Sequence, residues 1–409
     1  MSLSSRLRLI RLSGTLANGA AQATLLPHLL HPNREMRSVL LTALQRSGYR
    51  AKDAKAVEQI ELALQNEVER TAVMLSATSA IDQSNEYRWL HAALQTDIQQ
   101  STQRILHLFS FIYDPHLLRR VGDYLHLGSS EEKAQAIETV DLIFSTPHKQ
   151  LLLPLIDNEL STSQQLSALS KQVILPTETA DEWLDKIITG TGDQFDDWIQ
   201  ACAIYGATST DAAAWHRSIV QFMQWNEGNG NRKRLPRPTP LRGQVPHRDR
   251  PFALETAQWA LNQSLGEQNM LTIEKVSFLK GTKLFNNVPD AVLASVAQIL
   301  GVVEHPAHKQ FISEGDMAEE MFIIVEGAVR VQKNGKLVIE LKSGDTVGEL
   351  AIFDPEPRSA DVITSMPTTL LQLEKETLRE VMADRPEISD GIIQALSRRI
   401  REQGRLMTI

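Results

Sequence analysis

The sequence predicts an α+β protein, with an α-helical N-terminal region and a C-terminal β jelly-roll barrel flanked by helices. Residues 1–225 are rich in Leu, Ala, Gln and Glu and repeat apolar residues at helical spacing. Residues 226–251 are basic and rich in Pro and Gly, which predicts a linker or loop. Residues 252–284 regain a helical pattern. From residue 285 to 409, short apolar runs separated by glycines predict a barrel that ends in helices.

Composition limits the class of protein. The chain has 409 residues and a formal net charge of −8, which argues against a protein that coats nucleic acid. Its single cysteine, Cys202, allows no intrachain disulfide and fits a reducing compartment. No apolar run approaches the roughly 18 residues that a membrane span requires. We therefore expect a soluble, cytoplasmic protein, associated with a membrane only through a partner.

The N-terminal half reads as paired helices. The break His31-Pro32-Asn33 offers Asn33 as an N-cap, and apolar residues then recur at helical spacing from Met36 to Gly48. A second break falls at Gly128-Ser129-Ser130. These segments resemble HEAT or armadillo repeats, which stack into a solenoid and bind protein partners. The repeat period is degenerate, so an irregular helical bundle is the alternative.

The barrel begins with a block that alternates like strands. Met321–Val325 is a short apolar run suited to a buried strand, and Ala328–Gln332 alternates apolar and polar residues. Asn334-Gly335 between two such runs predicts a tight hairpin turn. The spacing of these strands predicts a small jelly roll.

A second block, Val347–Val362, carries the chemistry of an anion site. Gly348 permits close approach of a ligand to the backbone, and Glu349–Phe353 is suited to one or two helical turns with outward N–H groups. Arg358 returns on an extended segment and is suited to clamp the same anion through its guanidinium. Glu349 would repel a phosphate but would accept a sugar hydroxyl. Together these residues indicate a nucleotide.

Here the sequence resembles the cyclic nucleotide-binding domain family, whose cassette reads roughly F-G-E-L-A-L followed by R-[STA]-A. The earlier family signature is met by Phe311–Gly327, and the resemblance covers about 130 residues from Gly281 onward. Val347 and Phe311 are mild departures. The resemblance implies a cyclic phosphate on Arg358, a ribose 2′-hydroxyl on Glu349, and either cAMP, which we favour, or cGMP. The residues it assigns to the ligand are Gly348, Glu349, Leu350, Ala351, Arg358, Ser359 and Ala360.

The last helix adds further expectations. Pro386 opens a helix with an apolar stripe at every fourth residue, as in Ile388 and Ile392. By resemblance, Leu396 or Arg399 would cap the nucleotide base, and the helix would mediate a homodimer. We expect no room after it for the helix-turn-helix of catabolite-activator-type transcription factors.

The predicted function is therefore regulatory rather than enzymatic. The whole chain resembles the cytoplasmic tail of bacterial proteins that join a transporter-like membrane part to HEAT repeats and this domain, which implies a scaffold for a membrane transporter. A scaffold with a degenerate, non-binding barrel is the first alternative. A cupin-like metal enzyme using His305, His308 and Glu314 is disfavoured, because the histidine spacing does not place two ligands on one strand face. We expect no metal, no cofactor and no nucleic-acid partner.

Overall fold

The computed structural model describes residues 3–16, 19–190, 194–227, 251–262, 270–354 and 356–406. The chain folds as two compact units, residues 1–263 and 264–409. Residues 228–250, most of the predicted linker, lie outside the described residues. In the described ranges, no helix combines the length and the apolar character needed to cross a lipid bilayer.

The regular secondary structure in the described ranges of the first unit consists of helices. Two short 3₁₀ turns, Leu26–His28 and Asn85–Tyr87, punctuate the helices, and α11 is interrupted at Asp211 by non-helical backbone. The α-helices are α1 (Leu3–Ser13), α2 (Gly19–Leu25), α3 (Arg34–Arg46), α4 (Ala54–Ala80), α5 (Arg88–Phe109), α6 (Pro115–Leu127), α7 (Ser130–Ile143), α8 (Thr146–Ile156), α9 (Thr162–Leu169), α10 (Ala180–Thr189), α11 (Asp197–Glu227) and α12 (Pro251–Asn262).

Local sequence signals set the ends of several helices. The Asn33 side chain accepts a hydrogen bond from the Met36 N–H at 2.9 Å and caps α3, as predicted. Gly48, just beyond α3, has a φ of +70°. Ser129 and Glu132 form a reciprocal capping box at the start of α7. The breaks identified in the sequence are therefore true helix boundaries.

The helices pack around the long pair α4 and α5. Helix α4 also contacts α9 and α10, while α5 also contacts α3, α6, α8 and α11. In a regular solenoid each repeat contacts only its neighbours in sequence. The contacts of α4 and α5 reach much further along the chain, so they do not establish a stack of repeats. The HEAT or armadillo architecture stays a prediction.

A buried charge cluster ties α3, α4 and α5 together. The Glu67 carboxylate accepts hydrogen bonds from Nε of Arg37, from Nε of Arg104 at 2.9 Å and from the Ser101 hydroxyl at 2.9 Å. All four residues are buried. The Arg37 Nη1 also donates to the His31 and Pro32 carbonyls. Each charge is therefore paired, as burial requires.

The second unit holds two four-stranded antiparallel sheets with helices at both ends. The strand orders are β1-β8-β3-β6 and β2-β7-β4-β5. Its elements are α13 (Thr272–Gly281), α14 (Asp290–Gln298), β1 (Gly301–His305), β2 (Gln310–Ile312), β3 (Glu320–Glu326), β4 (Ala328–Lys333), β5 (Lys336–Lys342), β6 (Thr346–Val347), α15 (Glu349–Phe353), β7 (Asp361–Thr364), β8 (Thr368–Glu374), α16 (Lys375–Asp384) and α17 (Pro386–Leu406).

An apolar cluster between the two sheets forms the core of this unit. It consists of Ile312, Phe322, Ile324, Val329, Val347, Val362 and Leu370. These residues come from six different strands, so the core depends on the whole barrel rather than on one hairpin. The helical region followed by a β barrel confirms the predicted α+β class.

The β4–β5 turn and the segment 252–284 can also be compared with the sequence predictions. Strands β4 and β5 are joined by Asn334 and Gly335, both with positive φ, as the Asn-Gly pair predicts. The segment 252–284, predicted as connecting helices, is divided: α12 packs on α11 in the first unit, while α13 packs on α14 and β3 in the second.

Candidate functional site

The turn between β6 and α15 depends on a glycine. Gly348 has a φ of +78°, in the region that L side chains avoid. A Cβ at this position would overlap Nη1 of Arg358 and lie 3.1 Å from the Glu320 carbonyl oxygen. The glycine therefore allows the Arg358 guanidinium to lie directly against the backbone. The predicted close approach of a ligand to Gly348 stays a prediction.

Arg358 is buried, with only 6% of its side chain exposed. Its Nη2 donates to the Glu320 carbonyl at 2.6 Å and lies 3.4 Å from the Glu320 carboxylate, while Nη1 donates to the Gly348 carbonyl at 3.4 Å. Its Nε has no hydrogen-bond partner among the described residues. The guanidinium is thus held in place on one side and keeps unused hydrogen-bonding capacity on the other.

The backbone on either side of Arg358 is also fixed. The Arg358 N–H donates to the Asp316 carbonyl at 2.9 Å, and the Arg358 carbonyl accepts from the Gly315 N–H at 2.8 Å. Gly315 has a φ of +88°. These bonds join the segment between α15 and β7, which carries Arg358, to the connection between β2 and β3. They therefore fix the backbone from which the guanidinium extends.

A cavity of about 210 Å³ opens beside the guanidinium. Its wall is formed by the β2–β3 connection, the start of β3 and Arg358. The lining residues are Phe311, Ile312, Ser313, Asp316, Met317, Ala318, Glu320 and Arg358. The lining therefore combines one positively charged residue, two acidic residues and several apolar ones.

The structure brings together some of the residues predicted from the sequence. Gly348 contacts Arg358, and Ala351 is buried in α15, where its N–H donates to the Gly348 carbonyl at 3.2 Å. Glu349 is half-buried at the start of the same helix. The backbone of Leu350 lies in α15, but its side chain is outside the described set. Among the predicted residues whose side chains the structure describes, Arg358 is the one that lines the cavity.

Other predicted residues lie further from it. Ser359 is exposed and Ala360 is half-buried, directly after Arg358. Leu396 is half-buried on α17 and is not among the residues that line the cavity. Arg399 also lies on α17, and its side chain is outside the described set. The assignment of these residues to a ligand stays a prediction.

Sequence reasoning missed Glu320. This residue opens β3 and supplies both a carbonyl and a carboxylate to Arg358. The signal in the sequence is an acidic residue directly before the apolar run Met321–Val325 and next to Glu319. Glu319 behaves differently: it accepts a hydrogen bond from Lys375, which holds the pKa of the Glu319 carboxyl below its ordinary value.

The disfavoured metal site would depend on His305, His308 and Glu314. His305 ends β1, and His308 occupies a turn with a φ of +61°. Burial lowers the pKa of His305, with a smaller contribution from the charge of Lys309. The Glu314 carboxylate accepts from the Asn334 N–H at 3.4 Å. Over the described ranges, no three or more His, Cys, Asp or Glu side chains are grouped to hold a metal ion.

Comparison with known proteins assigns this unit to a domain family. Residues 302–385 match the family model described as the cyclic nucleotide-binding domain. The chain is 30% identical over 123 residues to a CRP-like cAMP-activated global transcriptional regulator of Mycobacterium tuberculosis, covering 29% of this chain and 55% of the relative. It is 30% identical over 115 residues to a cAMP-dependent protein kinase regulatory subunit of Yarrowia lipolytica, covering 27% and 31%.

Two further proteins are similar to part of the chain. A Pycsar effector protein of Xanthomonas perforans is 36% identical over 108 residues, covering 26% of this chain and 36% of the relative. The solved regulatory domain of Toxoplasma gondii PKA with cAMP shares 27% identity with a TM-score of 0.27, covering 28% of this chain and 46% of that one. The chain spans about a third to about half of the curated relatives described above. The C-terminal unit thus carries a cyclic nucleotide-binding domain with regulatory relatives.

Proposed function

We propose that the cyclic nucleotide-binding domain of this chain binds cAMP or cGMP and that the chain is a regulatory sensor rather than an enzyme. The observation that carries the proposal is Arg358, a buried guanidinium with an unpartnered Nε in the wall of a polar cavity. The printed names of two relatives, which describe cAMP-activated and cAMP-dependent proteins, support cAMP as the first ligand to test.

The geometry suits a cyclic phosphate for a physical reason. The phosphate carries one negative charge, and in a site of reduced dielectric it needs a charged, hydrogen-bonding partner. The carbonyls of Glu320 and Gly348 orient the Arg358 side chain before any ligand arrives. Less side-chain entropy is then lost on binding than with a mobile arginine.

The remaining site residues take the roles that the family resemblance implies. In this proposal Glu349 accepts the ribose 2′-hydroxyl, and Gly348, Leu350 and Ala351 present backbone groups to the phosphate and sugar. Ser359 adds a donor and Ala360 lines the pocket. Leu396 or Arg399 covers the base. Ser359 is compatible with either purine, so a titration is needed to determine which of cAMP and cGMP binds more tightly.

The helical unit completes the proposal. We assign it the role of a HEAT- or armadillo-like scaffold that passes the nucleotide signal to a protein partner, with a membrane transporter as the partner implied by the resemblance. A cytoplasmic location and a homodimer through α17 belong to the same proposal. A coupling free energy of about 1–3 kcal/mol between nucleotide and partner would suffice for regulation.

One observation favours a second candidate, a barrel that has kept its fold but does not bind nucleotide. The Glu320 carboxylate lies 3.4 Å from Arg358 Nη2 and already compensates part of its charge. In that case Arg358 would serve to join the start of β3 to the segment after α15. The two candidates differ in whether calorimetry detects binding.

The test is isothermal titration of the full chain with cAMP and cGMP. We expect Arg358→Ala to weaken binding by about 2–4 kcal/mol, because the phosphate loses its charged partner. Arg379→Ala is the matched control, since Arg379 is an exposed arginine on α16 that lies 3.3 Å from Glu376. No binding to the wild type would favour the second candidate. Equal binding by wild type and Arg358→Ala would show that the nucleotide binds elsewhere.

A further inference from the structure

Helix α1 and the turn after it expose three leucines, Leu9, Leu12 and Leu16, which we call the leucine row. Their exposed fractions are 52%, 63% and 56%. Leu9 and Leu12 are three positions apart, so they lie on one face of the helix. The N–H groups of Thr15 and Leu16 donate to carbonyls three residues earlier and continue the winding as far as Leu16. Exposed apolar side chains grouped in this way indicate a contact surface.

The inner face of α1 is anchored to α3. Leu7 is buried in a cluster with Met36 of α3, and Ile10 packs against the same cluster. The end of α1 also lies close to α3, since a Cβ on Gly14 would come within 2.6 Å of the Ala43 Cα. The fold therefore buries one apolar face of α1 and holds the leucine row outward.

Arginines border the leucine row. Arg6 is exposed three positions before Leu9, and Arg8 is exposed four positions before Leu12, so each of these leucines has an arginine as a helical neighbour. The first 34 residues of the sequence contain no Asp or Glu, although the whole chain has a formal net charge of −8. The leucine row therefore lies in a basic segment of an acidic protein.

This combination of leucines and arginines suits the interface of a bilayer that contains anionic lipids. In such an interface apolar side chains enter the boundary between headgroups and acyl chains, and basic side chains contact the negative headgroups. A second copy of α1 would bring the same arginines against the first, and like charges in contact are unfavourable. Helix α1 has 11 residues and a length of about 16 Å, too short to cross a hydrocarbon core of roughly 30 Å. It would therefore lie along the surface.

We propose that α1 docks on the surface of a lipid bilayer that contains anionic lipids. The leucine row enters the interface, Arg6 and Arg8 contact the negatively charged headgroups, and the contacts of α1 with α3 attach the helical unit to the membrane. Lipid alone is sufficient for this docking, which distinguishes it from recruitment by a membrane protein. The proposal does not depend on nucleotide binding.

Co-sedimentation of the full chain with vesicles tests the proposal. Vesicles of phosphatidylcholine alone are compared with vesicles that contain about 30% phosphatidylglycerol. We expect the wild type to bind the anionic vesicles at least about tenfold more tightly, because their charge attracts the arginines. Raising NaCl from about 0.1 M to about 0.5 M should weaken this binding by screening. A wild type that does not bind anionic vesicles, or that binds both kinds equally, would overturn the proposal.

Substitutions on α1 test the two parts of the surface. The double variant Leu9→Gln/Leu12→Gln should weaken binding to anionic vesicles about tenfold or more, because apolar burial is lost. Arg6→Gln should weaken it about fivefold, the contribution of one basic residue near such a surface.

The matched controls are exposed residues of other helices. Leu62→Gln removes an exposed leucine from α4, and Arg119→Gln removes an exposed arginine from α6. Both controls should bind vesicles like the wild type. If the α1 variants also bind like the wild type, the vesicle contact lies elsewhere and the proposal is wrong.

A fluorescent label separates insertion from surface adsorption. The native Cys202 is buried, so Leu12→Cys provides an exposed thiol for a bimane label. Anionic vesicles should shift the bimane emission to the blue as the label leaves water, whereas a label on Leu62→Cys should show no shift. Unchanged emission from Leu12→Cys in vesicle-bound protein would contradict insertion of the leucine row.

Light scattering without vesicles tests the competing occupant, a second copy of the chain. A wild type that forms a concentration-dependent oligomer, binds no vesicles and becomes monomeric in Leu9→Gln/Leu12→Gln would reject lipid docking. It would assign the leucine row to a contact between copies instead.

Discussion

The contact between Arg358 and Gly348 shows how a single residue type determines the candidate site. The guanidinium occupies the space that a side chain at position 348 would fill. The positive φ of Gly348 is a second reason why a larger residue is excluded there. Position 348 therefore controls both the turn and the placement of the arginine.

At the residue scale we predict that Gly348→Ala weakens nucleotide binding at least about tenfold, because the new Cβ displaces the Arg358 side chain. The left-handed backbone should also cost about 1–2 kcal/mol of stability in the C-terminal unit. Calorimetry with cAMP measures the first effect and thermal unfolding the second. Gly301→Ala is the control, because Gly301 lies in open space without a positive φ. Wild-type affinity in Gly348→Ala would contradict the role given to this contact.

At the element scale, the Glu67 cluster sets how three helices meet. Glu67 on α4 holds one arginine from α3 and one from α5. Burial alone would raise the pKa of Glu67, but the charges of Arg104 and Arg37 outweigh it and hold the pKa below its ordinary value. For Arg37, burial is the main cause that lowers its pKa, to about 10. Arg37 therefore remains charged near neutral pH, and the Glu67 carboxylate is needed to compensate it.

We predict that Glu67→Gln destabilises the helical unit by about 3–5 kcal/mol, because it leaves buried guanidinium groups without their counter-charge. Urea unfolding followed by tryptophan fluorescence measures this change. Glu69→Gln, an exposed substitution on the same helix, should change the free energy of unfolding by less than about 0.5 kcal/mol. A small effect of Glu67→Gln would mean that the cluster does not stabilise the junction.

We also predict that the stability difference between the wild type and Glu67→Gln depends on pH. A carboxyl with a lowered folded-state pKa stabilises the fold fully above its unfolded pKa, and the effect is lost as pH falls through the folded-state value. For Glu67 the ordinary pKa is 4.5. The difference in unfolding free energy between wild type and Glu67→Gln should therefore be constant above about pH 4.5 and shrink below it. A difference that stays constant on acidification would contradict the pairing.

At the scale of the whole molecule, the tryptophans are confined to one of the two units. All six tryptophans lie in residues 1–263, whereas the candidate site lies in residues 264–409. They are Trp89, Trp183, Trp198, Trp215, Trp225 and Trp259. Intrinsic tryptophan emission therefore reports on the helical unit and not directly on the barrel.

We predict that saturating cAMP changes the tryptophan emission of the wild-type chain, because a sensor must pass its signal to the scaffold. Arg358→Ala should show no change at the same nucleotide concentration. The concentration dependence of emission should match the calorimetric binding curve. Binding by calorimetry without any change in emission would reject transmission to the helical unit while leaving the nucleotide site intact.

The sequence by itself determined the features that depend on neighbouring residues. The Asn33 cap, the Asn334-Gly335 turn and the α+β division follow from local backbone preferences and from the spacing of apolar residues. The cassette from Gly348 to Arg358 was identifiable because its members lie within one short segment. Only the tertiary structure showed which distant groups meet.

Glu320 reaches Arg358 across 38 positions, and Glu67 joins arginines that lie 30 and 37 positions away. Helices α12 and α13 have similar sequence patterns, yet they belong to different units. Local propensity acts over a few residues, so it predicts caps, turns and strands. Long-range pairing is decided by how the elements pack to bury apolar surface and compensate charge, which no short window of sequence contains.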